Sequence, residues 1–197
     1  MKTIINHNGC ILKTQNIVTN ERIAHILFDK ELAEELKSLI YVKEFGRLVT
    51  YQGNKGIDYI YTNKHHPAKG WTPLVKQVST VVRYFLQIKD THNSINRDDI
   101  YFNHCLINQY DATMYLNSHK DNEPELTGAI ASLTLGDSAW FRYGLDRNIP
   151  KQTNLQLNHG DVMIGNRKFF ETYYHSVSQP INGGTRFNLT WRTICNN

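Results

Sequence analysis

His119-Lys120-Asp121 sets two metal-ligating side chains two residues apart. Along an extended strand, positions i and i+2 face the same way, so both can serve one site. A later histidine, His175, completes a set of two imidazoles and one carboxylate. Such a set holds non-haem Fe(II) and leaves coordination positions open for a cosubstrate and dioxygen, which implies oxidative chemistry. The triplet type recurs as His159-Gly160-Asp161, but its glycine and the apolar Val162-Met163-Ile164 read as a turn running into a strand. Spacing favours the first triplet without excluding the second.

The segment from Arg186 to Arg192 points the same way. Period-2 alternation puts Arg186, Asn188, Thr190 and Arg192 on one face and Phe187, Leu189 and Trp191 on the other. A cationic strand face turned into a barrel needs acidic partners. Arg186 suits a bidentate pair with a small dicarboxylate such as 2-oxoglutarate.

The elements that must position these residues are legible in outline. From residue 100 onward, short strands alternate with turn residues: 101–110, 114–118, 129–135, 139–143, 154–157, 161–164, 173–177 and 186–193. Eight such strands make a double-sheet jelly roll of the cupin kind. Before them, one or two strands are expected up to about Phe28, where short apolar runs alternate with Asn-rich turns. An amphipathic helix is expected from Lys30 to about Tyr41 on Leu32, Leu36, Leu39 and Ile40, and a second begins at Thr72-Pro73 with the Thr72 hydroxyl as N-cap. The fold class is therefore mainly β with flanking helices, in one domain: residues 1–99 form an N-terminal extension and residues 100–197 the jelly-roll core.

Between the helices, residues 51–71 interleave aromatic rings and cations, a composition that suits stacking on bases and contact with phosphates. The adjacent His65 and His66 point to opposite strand faces and read as solvated or phosphate-facing. Lys+Arg 22 against Asp+Glu 18 gives a net charge of +4, which permits a phosphate-rich partner without demanding one. The three cysteines, Cys10, Cys105 and Cys195, form no metal-type pair and argue for a reducing compartment. With 40% hydrophobic residues, no membrane-length apolar run and no secretory leader, the chain reads as soluble, intracellular and monomeric.

At the level of motifs, the chain resembles the AlkB family of Fe(II)/2-oxoglutarate-dependent nucleic-acid demethylases. The matching blocks are Leu106-Ile107-Asn108-Gln109-Tyr110, His119-Lys120-Asp121-Asn122-Glu123, 130–136, His159-Gly160-Asp161, His175 and 186–192, spread over roughly half the chain. The resemblance implies that His119, Asp121 and His175 hold Fe(II), and that Asn108, Tyr110, Asn188 and Arg192 join Arg186 around 2-oxoglutarate. It makes residues 51–71 a nucleotide-recognition lid, with Tyr59 and Tyr61 as its base-contacting aromatics. It also implies dioxygen-dependent hydroxylation of N-methyl groups, as in 1-methyladenine and 3-methylcytosine, with release of formaldehyde, succinate and carbon dioxide. The partner would be single-stranded or locally opened DNA or RNA, because the reacting base must leave its stack. Glu123, two residues beyond Asp121, would favour cationic lesions. Gly165 and Asn166 stand where bacterial members carry a tryptophan, so His175, Trp140, Phe141 or Phe169 is the expected substitute, and Arg167-Lys168 reads as a solvated loop. Two other functions remain open: an oxygenase acting on protein or a small molecule, and a non-catalytic metal-binding reader of nucleic acid.

Overall fold

The computed structural model describes residues 1–17, 30–44, 46–61, 64–89 and 95–195. In chain order its principal elements are β1 (Lys2–His7), β2 (Cys10–Asn16), α1 (Lys30–Ser38), β3 (Val42–Glu44), β4 (Arg47–Gly53), β5 (Asp58–Tyr61), β6 (Lys64–Pro67) and α2 (Pro73–Lys89). There follow β7 (His104–Tyr110), β8 (Leu116–His119), β9 (Leu126–Gly136), β10 (Ala139–Gly144), β11 (Thr153–Leu157), β12 (Asp161–Gly165), α3 (Arg167–Thr172), β13 (Tyr174–Val177) and β14 (Arg186–Ile194). All eight strands expected after residue 100 are present within a few residues of their expected bounds.

The strands form two antiparallel sheets of a jelly roll. The larger has eight strands in the order β1-β2-β12-β9-β14-β7-β4-β3, and the smaller has four, β11-β10-β13-β8. Strands β5 and β6 pair only with each other, as a separate hairpin. The larger sheet thus takes four strands from the first hundred residues. The expected first strands are β1 and β2, joined by Asn8-Gly9, both at positive φ (51° and 76°), the geometry of a two-residue hairpin turn. The remainder of that segment, 18–28, lies outside the described residues.

Strand β14 lies between β9 and β7, and this explains its alternation. Phe187, Leu189 and Trp191 enter the core shared with Leu32 and Leu36 of α1 and Val78, Val82 and Phe85 of α2. The opposite row faces the gap between the sheets, where Leu106, Ile130, Phe141, Met163 and Phe170 are buried. A strand buried on both sides carries its polar residues into the interior, and only specific partners make that tolerable.

Three local expectations are corrected. Helix α1 ends at Ser38, short of Tyr41, whose hydroxyl instead donates to Leu36 O (2.7 Å). Residues 167–168 are the start of α3 rather than a loop: the Asn166 side chain accepts from Phe169 N (3.0 Å) and donates to Gly9 O (2.8 Å), capping the helix and fixing it to the first hairpin. The start of α2 is capped from outside. Glu35 of α1 accepts from Leu74 N (3.3 Å), Val75 N (3.0 Å) and the Thr72 hydroxyl (2.6 Å), so that hydroxyl donates to Glu35 instead of accepting from the helix. A carboxylate there also meets the positive end of the helix dipole. Glu35→Ala is expected to lower the unfolding free energy by about 1–2 kcal/mol, read as a lower urea midpoint at unchanged slope; an unmoved midpoint would show that the cap adds nothing.

Candidate metal and cosubstrate site

Strands β8 and β13 pair so that His119 and His175 are opposite one another, with ring centroids 4.3 Å apart. Asp121 follows β8 immediately, and its two carboxylate oxygens lie 3.7 Å from His119 Nε2 and 3.7 Å from His175 Nε2. Among the described residues these three form the group able to hold a metal ion, their ligand atoms all within 4.8 Å of one another. His119 Nδ1 lies 2.8 Å from Asn117 O. A carbonyl only accepts, so this nitrogen carries the proton and Nε2 keeps its lone pair for the site.

The electrostatics suit a divalent cation. Burial pushes the His175 imidazole down to about 3, with His119 acting in the same direction and Asp121 opposing. Burial likewise lowers His119, again against Asp121. Both rings are therefore neutral at physiological pH. Burial alone would raise Asp121, but Arg192, His175 and His119 hold its carboxyl well below the usual carboxylate range. Two neutral imidazoles and one ionised carboxylate, buried together, are the donor set that Fe(II) takes.

Arg192 is the chief cause of that ionised state. Its Nη2 lies 3.3 Å from each Asp121 oxygen, and its guanidinium packs over the Tyr59 ring, 5.3 Å from the centroid. Asp121 meets the need for an acidic partner that the sequence assigned to 2-oxoglutarate. Arg186 is placed differently. It is 1% exposed, donates from Nη2 to Thr134 Oγ1 (3.0 Å) and packs over Tyr110 (5.2 Å), while Nε and Nη1 have no hydrogen-bond partner among the described residues. A buried guanidinium with two unused donors fits an incoming carboxylate, since leaving it unpaired is costly.

Between the two arginines the row continues through Asn188 and Thr190, all four residues facing the same cavity as the triad. Asn108, opposite Asn188 on β7, also lines this cavity and accepts from Arg47 Nε (2.6 Å). Tyr110 lies beneath Arg186 rather than on the cavity wall. Of the two aromatics expected to contact a base, Tyr59 is 1% exposed and lines the cavity; the side chain of Tyr61 and residues 62–63 lie outside the described residues. Burial raises the Glu123 carboxyl and Asp121 adds to the effect, while Arg192 opposes it. His66 is buried, not solvated, because it stacks on Tyr51 (4.4 Å) and lies 3.6 Å from Glu44; His65 is exposed.

The second triplet forms the turn its glycine suggested. His159 Nδ1 accepts from Gly136 N (2.9 Å), and Asp161 accepts from Asn158 N (2.7 Å) and Asn16 Nδ2 (2.8 Å). Of the aromatics expected here, Phe141 stacks on His175 (5.6 Å between centroids), and Phe170 joins it. Phe169 is fully buried against Tyr173, whereas Phe170 lines the cavity with its ring edge-on to His175 (5.4 Å). Phe170 fills the space beside Gly165: a Cβ there would lie 2.7 Å from Phe170 Cε2. Trp140 stands outside the cavity and Phe141 lines it. Sequence reasoning missed Arg47, buried at 3% in the cavity wall, because a lone arginine in an early strand carries no motif.

A family model described as the 2OG-Fe(II) oxygenase superfamily matches residues 34–192, and the chain belongs to that superfamily. Fe(II), 2-oxoglutarate and dioxygen are accordingly the metal and cosubstrates of this site. Within the superfamily the likeness is to AlkB dioxygenases. The alpha-ketoglutarate-dependent dioxygenase AlkB of Escherichia coli (strain K12) is 40% identical over 99 residues, covering 45% of this chain and 44% of AlkB. AlkB of Salmonella typhimurium is 39% identical over 98 residues, with the same coverage of 45% and 44%. The chain thus aligns with less than half the length of these relatives. The structure of OsALKBH1 shares the fold, with a TM-score of 0.58 and 20% identity over 97% of this chain and 99% of that one. No helix among the described residues is long and apolar enough to cross a membrane.

Packed against Tyr51 and Tyr59, His104 is fully buried, with neither ring nitrogen hydrogen-bonded among the described residues. Burial drives its imidazole from 6.5 down to about 3, with Arg192 and His66 acting in the same direction. A neutral buried histidine contributes stability that is present in full above pH 6.5 and is lost as pH falls toward about 3, because the unfolded chain takes up the proton first. Metal-free His104→Phe is therefore expected to lose less stability between pH 6.5 and pH 4 than the unaltered chain in chemical denaturation; parallel curves would remove His104 from the acid response.

Proposed function

We propose that the chain oxidatively demethylates N-alkylated bases, 1-methyladenine and 3-methylcytosine among them, in single-stranded or locally opened DNA or RNA. The observation that carries the cosubstrate half is the pairing, in one cavity, of a neutral-His, ionised-Asp triad with a buried arginine holding two unused donors. The substrate half is supported by the likeness to AlkB and by the aromatic Tyr59 on the cavity wall.

When bound, Fe(II) with 2-oxoglutarate and dioxygen would supply the oxidant for C–H hydroxylation, 2-oxoglutarate being consumed to give succinate and carbon dioxide. The residues supply placement. His119, Asp121 and His175 hold the metal, Arg186 fixes the distal carboxylate, and Asn108, Tyr110 and Asn188 buttress that end. Arg192 keeps Asp121 ionised and so ready to accept the metal. The apolar wall of Phe141, Phe170 and Leu157 keeps water from the reacting centre. On the cavity wall, the enclosed Tyr59 offers a ring to an extruded base that enters the cavity, and the half-buried Glu123 offers a carboxylate to a cationic one. Extrusion costs a few kcal/mol for a paired base and less for an unpaired one, so single strands are the favoured substrates.

The test is anaerobic loading with Fe(II), then 2-oxoglutarate, oxygen and oligonucleotides carrying 1-methyladenine or 3-methylcytosine, with oligonucleotide mass and succinate recorded. Loss of one methylene mass, matched by succinate and absent in His119→Ala, is the expected result. Succinate without a mass change would redirect the enzyme to a protein or small-molecule substrate. Neither product from iron-loaded protein would end the oxygenase reading. Glu123→Ala is expected to lower turnover of both cationic lesions about tenfold while leaving succinate formation without substrate unchanged; undiminished turnover would remove Glu123 from base recognition.

A further inference from the structure

Arg186 opens β14 between Tyr110 on β7 and Gly136 on β9. Its approach is fixed by a cluster outside the cavity. The Asp137 carboxylate accepts from Ser138 N (2.7 Å), Asn182 N (3.0 Å), Asn182 Nδ2 (2.7 Å) and Gly184 N (2.8 Å), and Asp137 N donates to Thr185 O (3.0 Å). Gly136 sits at φ +82°, where a Cβ would collide with Thr185 O, and its N–H is held by His159 of the second triplet. Residues 182–185 are therefore pinned to the end of β9 from both sides.

We propose that Asp137 is a positioning residue for 2-oxoglutarate binding: by clamping residues 182–184 it sets where Arg186 begins β14, and so aims the two unused guanidinium donors at the distal carboxylate. This rests on the reading of Arg186 as the cosubstrate anchor. A carboxylate offers about four acceptor positions, and Asp137 spends three on the loop and one on Ser138 N. It therefore lends negative charge near Arg186 without occupying the guanidinium, and the donors remain for the ligand.

The test compares two 2-oxo acids on the full chain loaded with Mn(II), by titration calorimetry without oxygen. 2-Oxoglutarate reaches Arg186, whereas 2-oxobutyrate presents the same metal-binding end and no distal carboxylate. Asp137→Ala is expected to weaken 2-oxoglutarate about tenfold and leave 2-oxobutyrate and Mn(II) affinity unchanged. Asp137→Asn, which keeps one accepting oxygen and disturbs the fold least, is expected to fall between Asp137→Ala and the unaltered chain. Equal weakening of both acids would overturn the proposal, since a loosened site would lose both. Unaltered 2-oxoglutarate affinity in Asp137→Ala, with Arg186→Ala strongly weakened, would overturn it while sparing the anchor reading. Full 2-oxoglutarate affinity in Arg186→Ala would overturn both.

Discussion

A carboxylate enclosed as tightly as Asp121 stays ionised only with a cation against it, and that cation is Arg192. Breaking a buried pair of this kind by removing one partner costs about 3–5 kcal/mol, because the other charge is left uncompensated. The architecture follows from keeping the pair together. Arg192 must project into the interior from one face of β14 while the alternate residues fill the helix-side core, so the strand has to lie between β9 and β7, buried on both faces. A strand at a sheet edge could not do both.

The same strand holds two arginines in contrasting conditions. Arg192 has a carboxylate of the protein against its Nη2, whereas Arg186, six residues earlier in the same row, has only the Thr134 hydroxyl there; Nε and Nη1 of both lack a hydrogen-bond partner among the described residues. That contrast separates a cation paired with a metal-ligand carboxylate from one with no carboxylate hydrogen-bonded to it among the described residues. Alternation shows that both face inward, but nothing in the sequence separates them, since the partner of Arg192 is 71 residues away.

What was legible was whatever depends on local periodicity. The period-2 runs marked the strands after residue 100 and the first two, though not β3 and β4 of the larger sheet, and the His119-Lys120-Asp121 spacing gave two of the three ligands their common face. Features set by long-range packing were not legible. Arg47 lines the cavity from β4, far from every motif; His66 is buried by Tyr51 and Glu44; and the cap of α2 comes from Glu35 on another helix. The neighbouring aromatics Phe169 and Phe170 differ only in which way a single turn of α3 points them, and that is decided by Asn166 docking on Gly9.

The central place of β14 also orders the birth of the site. During synthesis N-terminal segments emerge first, and contacts between distant parts of the chain close late. His119, Asp121 and His175 all precede β14 in the chain, so the ligand set is complete in sequence before the strand that brings Arg192 beside it. Until β14 inserts, the larger sheet lacks the strand that joins β9 to β7. The protein thus separates having its ligands from having a site, and acquisition of metal in its final geometry awaits insertion of this strand.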